Sequence, residues 1–435
     1  MLEANGSPIP VTPHSAAASH ALKRRSIVVV LLFLFMAINF ADKVVLGLVA
    51  IPMMQDMNLT PAQFGLAGSS FFLLFSLSGI AIGLVADRVN TKWLMAALAA
   101  TWTIAQLPLG WPTTFTMLLI CRIVLGIGEG PASPLALHVA YTWFDDRERN
   151  LPTTAIQQGA TIGVIASGPL LTLIAQRWHW HAAFISLGLA SLAWMILWLW
   201  IGNTGGYQHV PAKARTGEQK SVPLFSLLGD RTVVGVMLQC FVAYAIVAIG
   251  FTWTPAYFRA GLGFPAAQAG WLFALQVSMQ IPVGFALALV SHRLLKRGVP
   301  SRLARGALIS SACVAAGLAY GLLRLGVPPV AKVALMALAS ALAVQTFTFG
   351  PMIVAEVVPT ARRGALLAIT NSIVTLAGLL GPVGMGHLIG WNGGREGYET
   401  GFAVTGVLLL AVGVAGFALL DPQRSRQRLT YREST

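Results

Sequence analysis

Charge is what this sequence has least of. Asp, Glu, Lys and Arg make up only 10% of its 435 residues, and the acidic ones number 15. Soluble globular chains carry about 25% charged residues, so a water-soluble fold of this length is excluded. The three cysteines, Cys121, Cys240 and Cys313, lie far apart inside apolar stretches, and no disulfide framework is expected. The histidines are scattered without Cys/His ligand spacing, so no metal site is expected. A glycine-rich phosphate loop is missing, which argues against ATP as a driver. Residues 1–25 are rich in Ala, Ser and Pro and lack an apolar stretch. They read as a disordered cytoplasmic tail rather than a cleaved signal.

What fills the chain is apolar: 56% hydrophobic residues and a mean hydropathy of +0.72. A bilayer span takes about 20 such residues. Polar breaks divide the sequence into twelve candidates at 26–50, 63–85, 93–111, 114–142, 151–175, 182–202, 232–257, 268–291, 304–325, 331–357, 364–390 and 399–420. The expected fold is therefore an all-α polytopic membrane protein. Two pseudo-symmetric six-helix bundles, 26–202 and 232–420, are joined by a polar, Gly-rich, basic linker at 203–231 and followed by a tail at 421–435. The net charge of +14 would suit nucleic acid, but its distribution does not. With both termini placed in the cytoplasm, the segments on that side hold 22 of the 29 Lys and Arg, and the opposite side holds five. That is the positive-inside pattern. The expected partners are the lipid bilayer and a small molecule, with no nucleic acid, and the chain is expected to act as a monomer.

Four ionisable residues interrupt the spans. Arg122 and Glu129 sit seven apart in Leu118-Leu-Ile-Cys-Arg-Ile-Val-Leu-Gly-Ile-Gly-Glu-Gly130. Two helical turns put them on one face, with Gly126 between them. The first span carries Asp42 and Lys43 side by side. A charge near the bilayer centre costs about 3 kcal/mol or more and is tolerated when it faces a protein interior or a water-filled cavity. Read as two internal ion pairs, Arg122–Glu129 and Asp42–Lys43, the four would merely lock helices together. Buried pairs stabilise weakly, so a functional role is the stronger reading. The halves also repeat: Arg149, Gln157 and Gly168-Pro169 in the first answer to Arg363, Asn371 and Gly381-Pro382 in the second. Parallel six-span repeats build rocking transporters with a midplane site.

Gly83-Leu-Val-Ala-Asp87-Arg88-Val-Asn-Thr-Lys92, between the second and third spans, resembles the cytoplasmic loop motif of the major facilitator superfamily. Arg122-x3-Gly126-x3-Gly130 resembles that superfamily's fourth-helix motif. A finer resemblance is to the anion:cation symporter family, which includes bacterial sugar-acid transporters and sialin-like carriers. It rests on Ile38-Asn-Phe-Ala-Asp42-Lys43, on Arg122 to Pro131 followed by Trp143-Phe144 and Arg147, and on Trp253-Thr-Pro255-Ala-Tyr257-Phe258. The resemblance implies a secondary transporter, not an enzyme, of the bacterial inner membrane. It would take up an organic carboxylate with protons by alternating access and use no cofactor. Asp42 and Glu129 would take protons, and Lys43 and Arg122 would hold the anion. The physical chemistry agrees: burial and a neighbouring cation act in opposite senses on a carboxylate's proton affinity, so anion arrival changes its occupancy. The planar fork of Arg122 suits a carboxylate.

The departures are informative. Lys43 stands where the family commonly has Arg, Phe40 and Phe75 replace tyrosines, and Gly79 replaces a glutamine. Fewer hydroxyl-reading groups imply a less hydroxylated anion than a sugar acid, an aromatic or short aliphatic carboxylate. Gln157, Asn371, Tyr244, Trp253 and Tyr257 are further candidates for the substrate site. Asp87 and Arg88, and Glu356 pairing with the nearby Arg362 and Arg363, are expected to stabilise a cytoplasmic gate. The rival readings are a proton-coupled exporter on the same fold, a lipid-modifying membrane enzyme and a ligand sensor.

Overall fold

The computed structural model describes residues 13–85, 89–145, 148–203, 205 and 224–434. Asp87, Arg88 and most of the 203–231 linker lie outside the described residues. Among the described residues, twelve helices are long and apolar enough to cross a membrane. They are α1 (Arg24–Leu48), α2 (Pro61–Gly79), α3 (Thr91–Gly110), α4 (Phe115–Tyr141), α5 (Asn150–Trp178), α6 (Trp180–Ile201), α7 (Arg231–Gly261), α8 (Ala266–Lys296), α9 (Arg302–Arg324), α10 (Pro329–Val357), α11 (Arg362–Asn392) and α12 (Gly394–Leu419). The twelve sequence spans coincide with them, and the edges shift where polar residues find partners. Expected to start at 399, α12 starts at Gly394 because Glu399 is neutralised by Lys332 and Arg395, each 2.6 Å away. The three cysteines are buried and free.

Within the first half, α2 docks on α4 backbone to backbone. A Cβ at Gly126 would overlap the Phe71 carbonyl, and one at Gly130 would overlap the Phe75 carbonyl. Small residues four apart allow this approach in apolar helix pairs, and it carries the rings of Phe71 and Phe75 to the charged face of α4.

The halves meet through equivalent pairs, α2 on α11 and α5 on α8, with α1 on α7. Gly65 lies beneath the Pro382 carbonyl, while Gly168 and Gly270 lie each beneath the other's carbonyl. Both Gly65 and Gly270 fall four residues after the start of their helices, α2 and α8, so the sequence repeat reappears as a repeat of contacts. Ser69 Oγ accepts the Val383 N–H at 3.0 Å, and the hydroxyls of Ser76 and Thr375 meet. These contacts run from mid-depth to the end away from the termini. At the other end, Ala132–Tyr141 of α4, Gln280–Lys296 of α8 and Thr346–Val357 of α10 pack against their own halves. The cleft between the halves therefore opens toward the end that bears the termini.

Gly126→Val should force α2 away from α4 and cost about 1–3 kcal/mol, read as a lower melting temperature of purified protein. Gly384→Val, where a Cβ meets nothing within 4 Å, is the control and should leave the midpoint unchanged.

Candidate functional site

Asn39, Asp42 and Lys43 share one face of α1 because they are spaced by three and four residues. That face meets α3 and α4. Asp42 (0% exposed), Glu129 (2%), Arg122 (3%) and Lys43 (9%) are all buried, so four ionisable groups sit in one apolar interior. Lys43 Nζ lies 2.6 Å from Glu129 Oε2 and donates to Asn39 Oδ1 at 2.6 Å. Asp42 Oδ1 accepts from Gln106 Nε2 at 2.7 Å.

The pairs that adjacency suggested, Arg122–Glu129 and Asp42–Lys43, are not the ones formed. The ion pair joins α1 to α4 as Lys43–Glu129. Arg122 instead lays its guanidinium over the Phe71 ring, 4.9 Å from the centroid. Its Nε and Nη1 have no hydrogen-bond partner, nor do Asp42 Oδ2 and Glu129 Oε1. Unmet buried polar atoms on charged groups are costly, and these four remain even though Glu129 Oε2 faces the Lys43 ammonium. With all four groups ionised, their charges sum to zero.

The surroundings are aromatic. Lys43 Nζ is 4.4 Å from the Phe40 ring centroid and 5.6 Å from that of Phe75. Phe72 contacts Tyr244 edge-on at 5.8 Å, and Tyr244 contacts Phe347 at 6.0 Å. The ring series thus crosses from the first half to the second. There Phe347 and Asn371, with Met237, Cys240 and Thr370, line a cavity of about 290 Å³. Phe40, Phe75 and Tyr244 therefore gather with the charged groups, and Asn371 borders the facing cavity. Gln157 is exposed on α5, where its Oε1 accepts from Ser133 Oγ at 3.4 Å.

Other expected residues lie elsewhere. Trp253 is fully buried, with Nε1 donating to the Pro382 carbonyl at 2.9 Å and the ring edge-on to Phe64 at 5.1 Å. It belongs to the contact that closes the far end. Tyr257 donates to Glu399 Oε1 at 3.1 Å, beside the buried Lys332 and the exposed Arg395 that pair with the same carboxylate. Both aromatic residues are occupied by packing rather than turned toward the charged site. Glu356 pairs with Arg305 and accepts from Ser301 Oγ at 2.7 Å. Its partner is thus the start of α9 rather than Arg362 or Arg363. The turn at Pro359 takes those two onto α11, and Arg363 Nη2 donates back to the Val358 carbonyl at 3.5 Å.

Two site residues escaped the sequence reading. Gln106, a buried amide near the end of an apolar span, holds Asp42. Asn39, four residues before Lys43, holds the ammonium.

Residues 31–382 match the Major Facilitator Superfamily. The chain belongs to the major facilitator superfamily. It is a multi-pass membrane transporter, not an enzyme. Among its relatives in this superfamily are a hexuronate transporter of Bacillus subtilis, 25% identical over 90% of this chain and 92% of that protein, and a probable sulfoacetate transporter of Cupriavidus necator, 27% identical over 92% and 95%. Of solved major facilitator folds, a bacterial homolog of the human lysosomal transporter Spinster, captured inward-facing and unoccupied, superposes with a TM-score of 0.76. It is 20% identical, covering 93% of this chain and 98% of that one.

Because Lys43 is the cation paired with Glu129, Lys43→Met should destabilise the fold by about 3 kcal/mol and lower the unfolding midpoint more than Arg122→Met does. Adding Glu129→Gln to Lys43→Met should recover part of that loss. Equal losses in the two single variants would refute the pairing.

Proposed function

We propose that this transporter carries an organic carboxylate across the plasma membrane together with protons, by alternating access, with both termini in the cytoplasm. The observation that carries the reading is the buried, charge-neutral set of Asp42, Lys43, Arg122 and Glu129, in which two of the three Arg122 guanidinium nitrogens have no hydrogen-bond partner. A carboxylate docking on Nε and Nη1 of Arg122 satisfies that fork with charge-assisted hydrogen bonds. It also brings an uncompensated negative charge into an apolar interior. A proton on Glu129 or Asp42 restores neutrality, so anion and proton move together. Protonation of Glu129 also releases the Lys43 ammonium, 2.6 Å away, to face the substrate. The names of the relatives support an organic anion, since hexuronate and sulfoacetate are both of that class.

The positive-inside distribution supports the topology, and with it the cleft of this structure faces the cytoplasm. The substrate side chain meets Phe40, Phe71 and Phe75 around the two cations. Flat or apolar carboxylates, such as benzoate-like acids, fit this wall better than polyhydroxylated ones, whose hydroxyls would lose their hydrogen bonds there.

Thermal-shift binding and proteoliposome uptake under an imposed proton gradient test the roles. Arg122→Ala should weaken carboxylate binding about 10–100-fold, the worth of one or two charge-assisted bonds. Glu129→Gln should bind but lose proton-driven accumulation, and equal loss in both variants would refute the division of labour. In counter-transport, a benzoate-like acid should outcompete galactonate. The reverse order would overturn the substrate class while leaving the coupling scheme standing.

A further inference from the structure

A single residue, His179, makes the turn between α5 and α6, with φ 94° and ψ 155°. That backbone region is essentially reserved for glycine, and a side chain there costs about 1–3 kcal/mol. The repeat supplies the comparison. The matching turn between α11 and α12 is made by Gly393 at φ 69° and ψ 159°. The same geometry is therefore built with glycine in one half and with a strained histidine in the other, so the imidazole itself calls for a reason.

Its surroundings give one. His179 Nδ1 lies 2.9 Å from Nδ1 of His181. Asp56 reaches the same place from the connection between α1 and α2, at the close of the short helix Ala50–Asp56. Each of the three residues brings a ligand atom within 4.8 Å of the other two. Ligands held about 2.0–2.2 Å from a tetrahedral zinc ion are about 3.3 Å apart, which small side-chain rotations reach from here. Trp180 orients two of the three: its Nε1 donates to Asp56 Oδ2 at 3.1 Å, and its ring stacks on His181 at 3.7 Å. Such support around the ligands is what metal sites use to fix ligand direction. His179 and Asp56 are exposed, so an ion has a path in. His179 and His181 are close in the sequence, but Asp56 lies 123 positions before His179 and only the fold brings it to them.

We propose that His179, His181 and Asp56 form a transition-metal site of the zinc class, at the end of the fold away from the termini, with a fourth position open to water. The Ala50–Asp56 helix packs against α7 of the second half. An ion held by Asp56 therefore pins a segment that closes this end, and it should slow the opening that transport requires. The proposal does not depend on the identity of the substrate.

The test uses tag-free, chelator-washed, full-length protein titrated with Zn²⁺ by calorimetry and thermal unfolding. One ion per chain should bind and raise the unfolding midpoint. His181→Ala and Asp56→Asn should each weaken binding at least about tenfold. His179→Gly should lose binding while its metal-free midpoint equals or exceeds that of the unmodified chain, because glycine accepts the turn. That last variant separates ligand loss from misfolding. No bound Zn²⁺, or binding unaltered in all three variants, would overturn the site. In proteoliposomes Zn²⁺ should slow flux through the unmodified protein but not through His179→Gly. Bound metal with unchanged flux would overturn the pinning role.

Discussion

The Lys43–Glu129 ion pair is the contact around which the first half is arranged. It joins α1 to α4 through an interior where neither charge is tolerable alone. The glycines at 126 and 130 let α2 come close enough to cover that interior with phenyl rings. Gln106 reaches from α3 to hold Asp42, and Asn39 shares the Lys43 ammonium. Two helices, α3 and α4, thus converge on α1 through polar side chains, in a region where apolar packing alone offers little directional preference. Arg122 belongs to the same enclosure but has only a ring face as a partner, so its unmet hydrogen-bonding capacity is concentrated at one place.

The two halves share a scaffold and differ in how they handle charge. Their crossings repeat, α2 with α11 and α5 with α8, down to the position of the contact glycine in α2 and α8. Yet the first half gathers four ionisable groups with unmet polar atoms. In the second half, Lys332, Arg395, Tyr257 and Glu399 satisfy one another near the far end. On the proposed reading, recognition of the substrate's charge belongs to the first half. The second half contributes an apolar cavity and an aromatic bridge through Tyr244 and Phe347.

Much of the fold was legible in the sequence because a bilayer-spanning chain writes its helices as runs of composition, and a charge inside such a run is conspicuous. The positions of Asp42, Lys43, Arg122 and Glu129 were therefore plain, and so was the Gly-Pro repeat. Their pairing was not. Adjacency suggested partners within a helix, whereas the ion pair depends on how α1 is rotated against α4, which no local pattern encodes. The same limit applied to Glu356, whose partner Arg305 lies across a helix interface rather than a few residues away. Trp253 and Tyr257 carried a family-like motif, but a motif does not state which way a ring points. Gln106 was readable in principle as an amide in an apolar span, and was hidden among several equally plausible amides.

The reciprocal placement of Gly168 and Gly270 has a consequence for motion. Where each residue's missing Cβ is filled by the other's carbonyl, main chain meets main chain. The side-chain atoms nearest the crossing are Thr172 Oγ1 and the Ala274 methyl, both short, so little interlocking has to be undone when one helix slides or tilts over the other. The joint behaves as a plain bearing, and its resistance comes from the contacts placed around it, such as the hydroxyl meeting of Ser76 and Thr375.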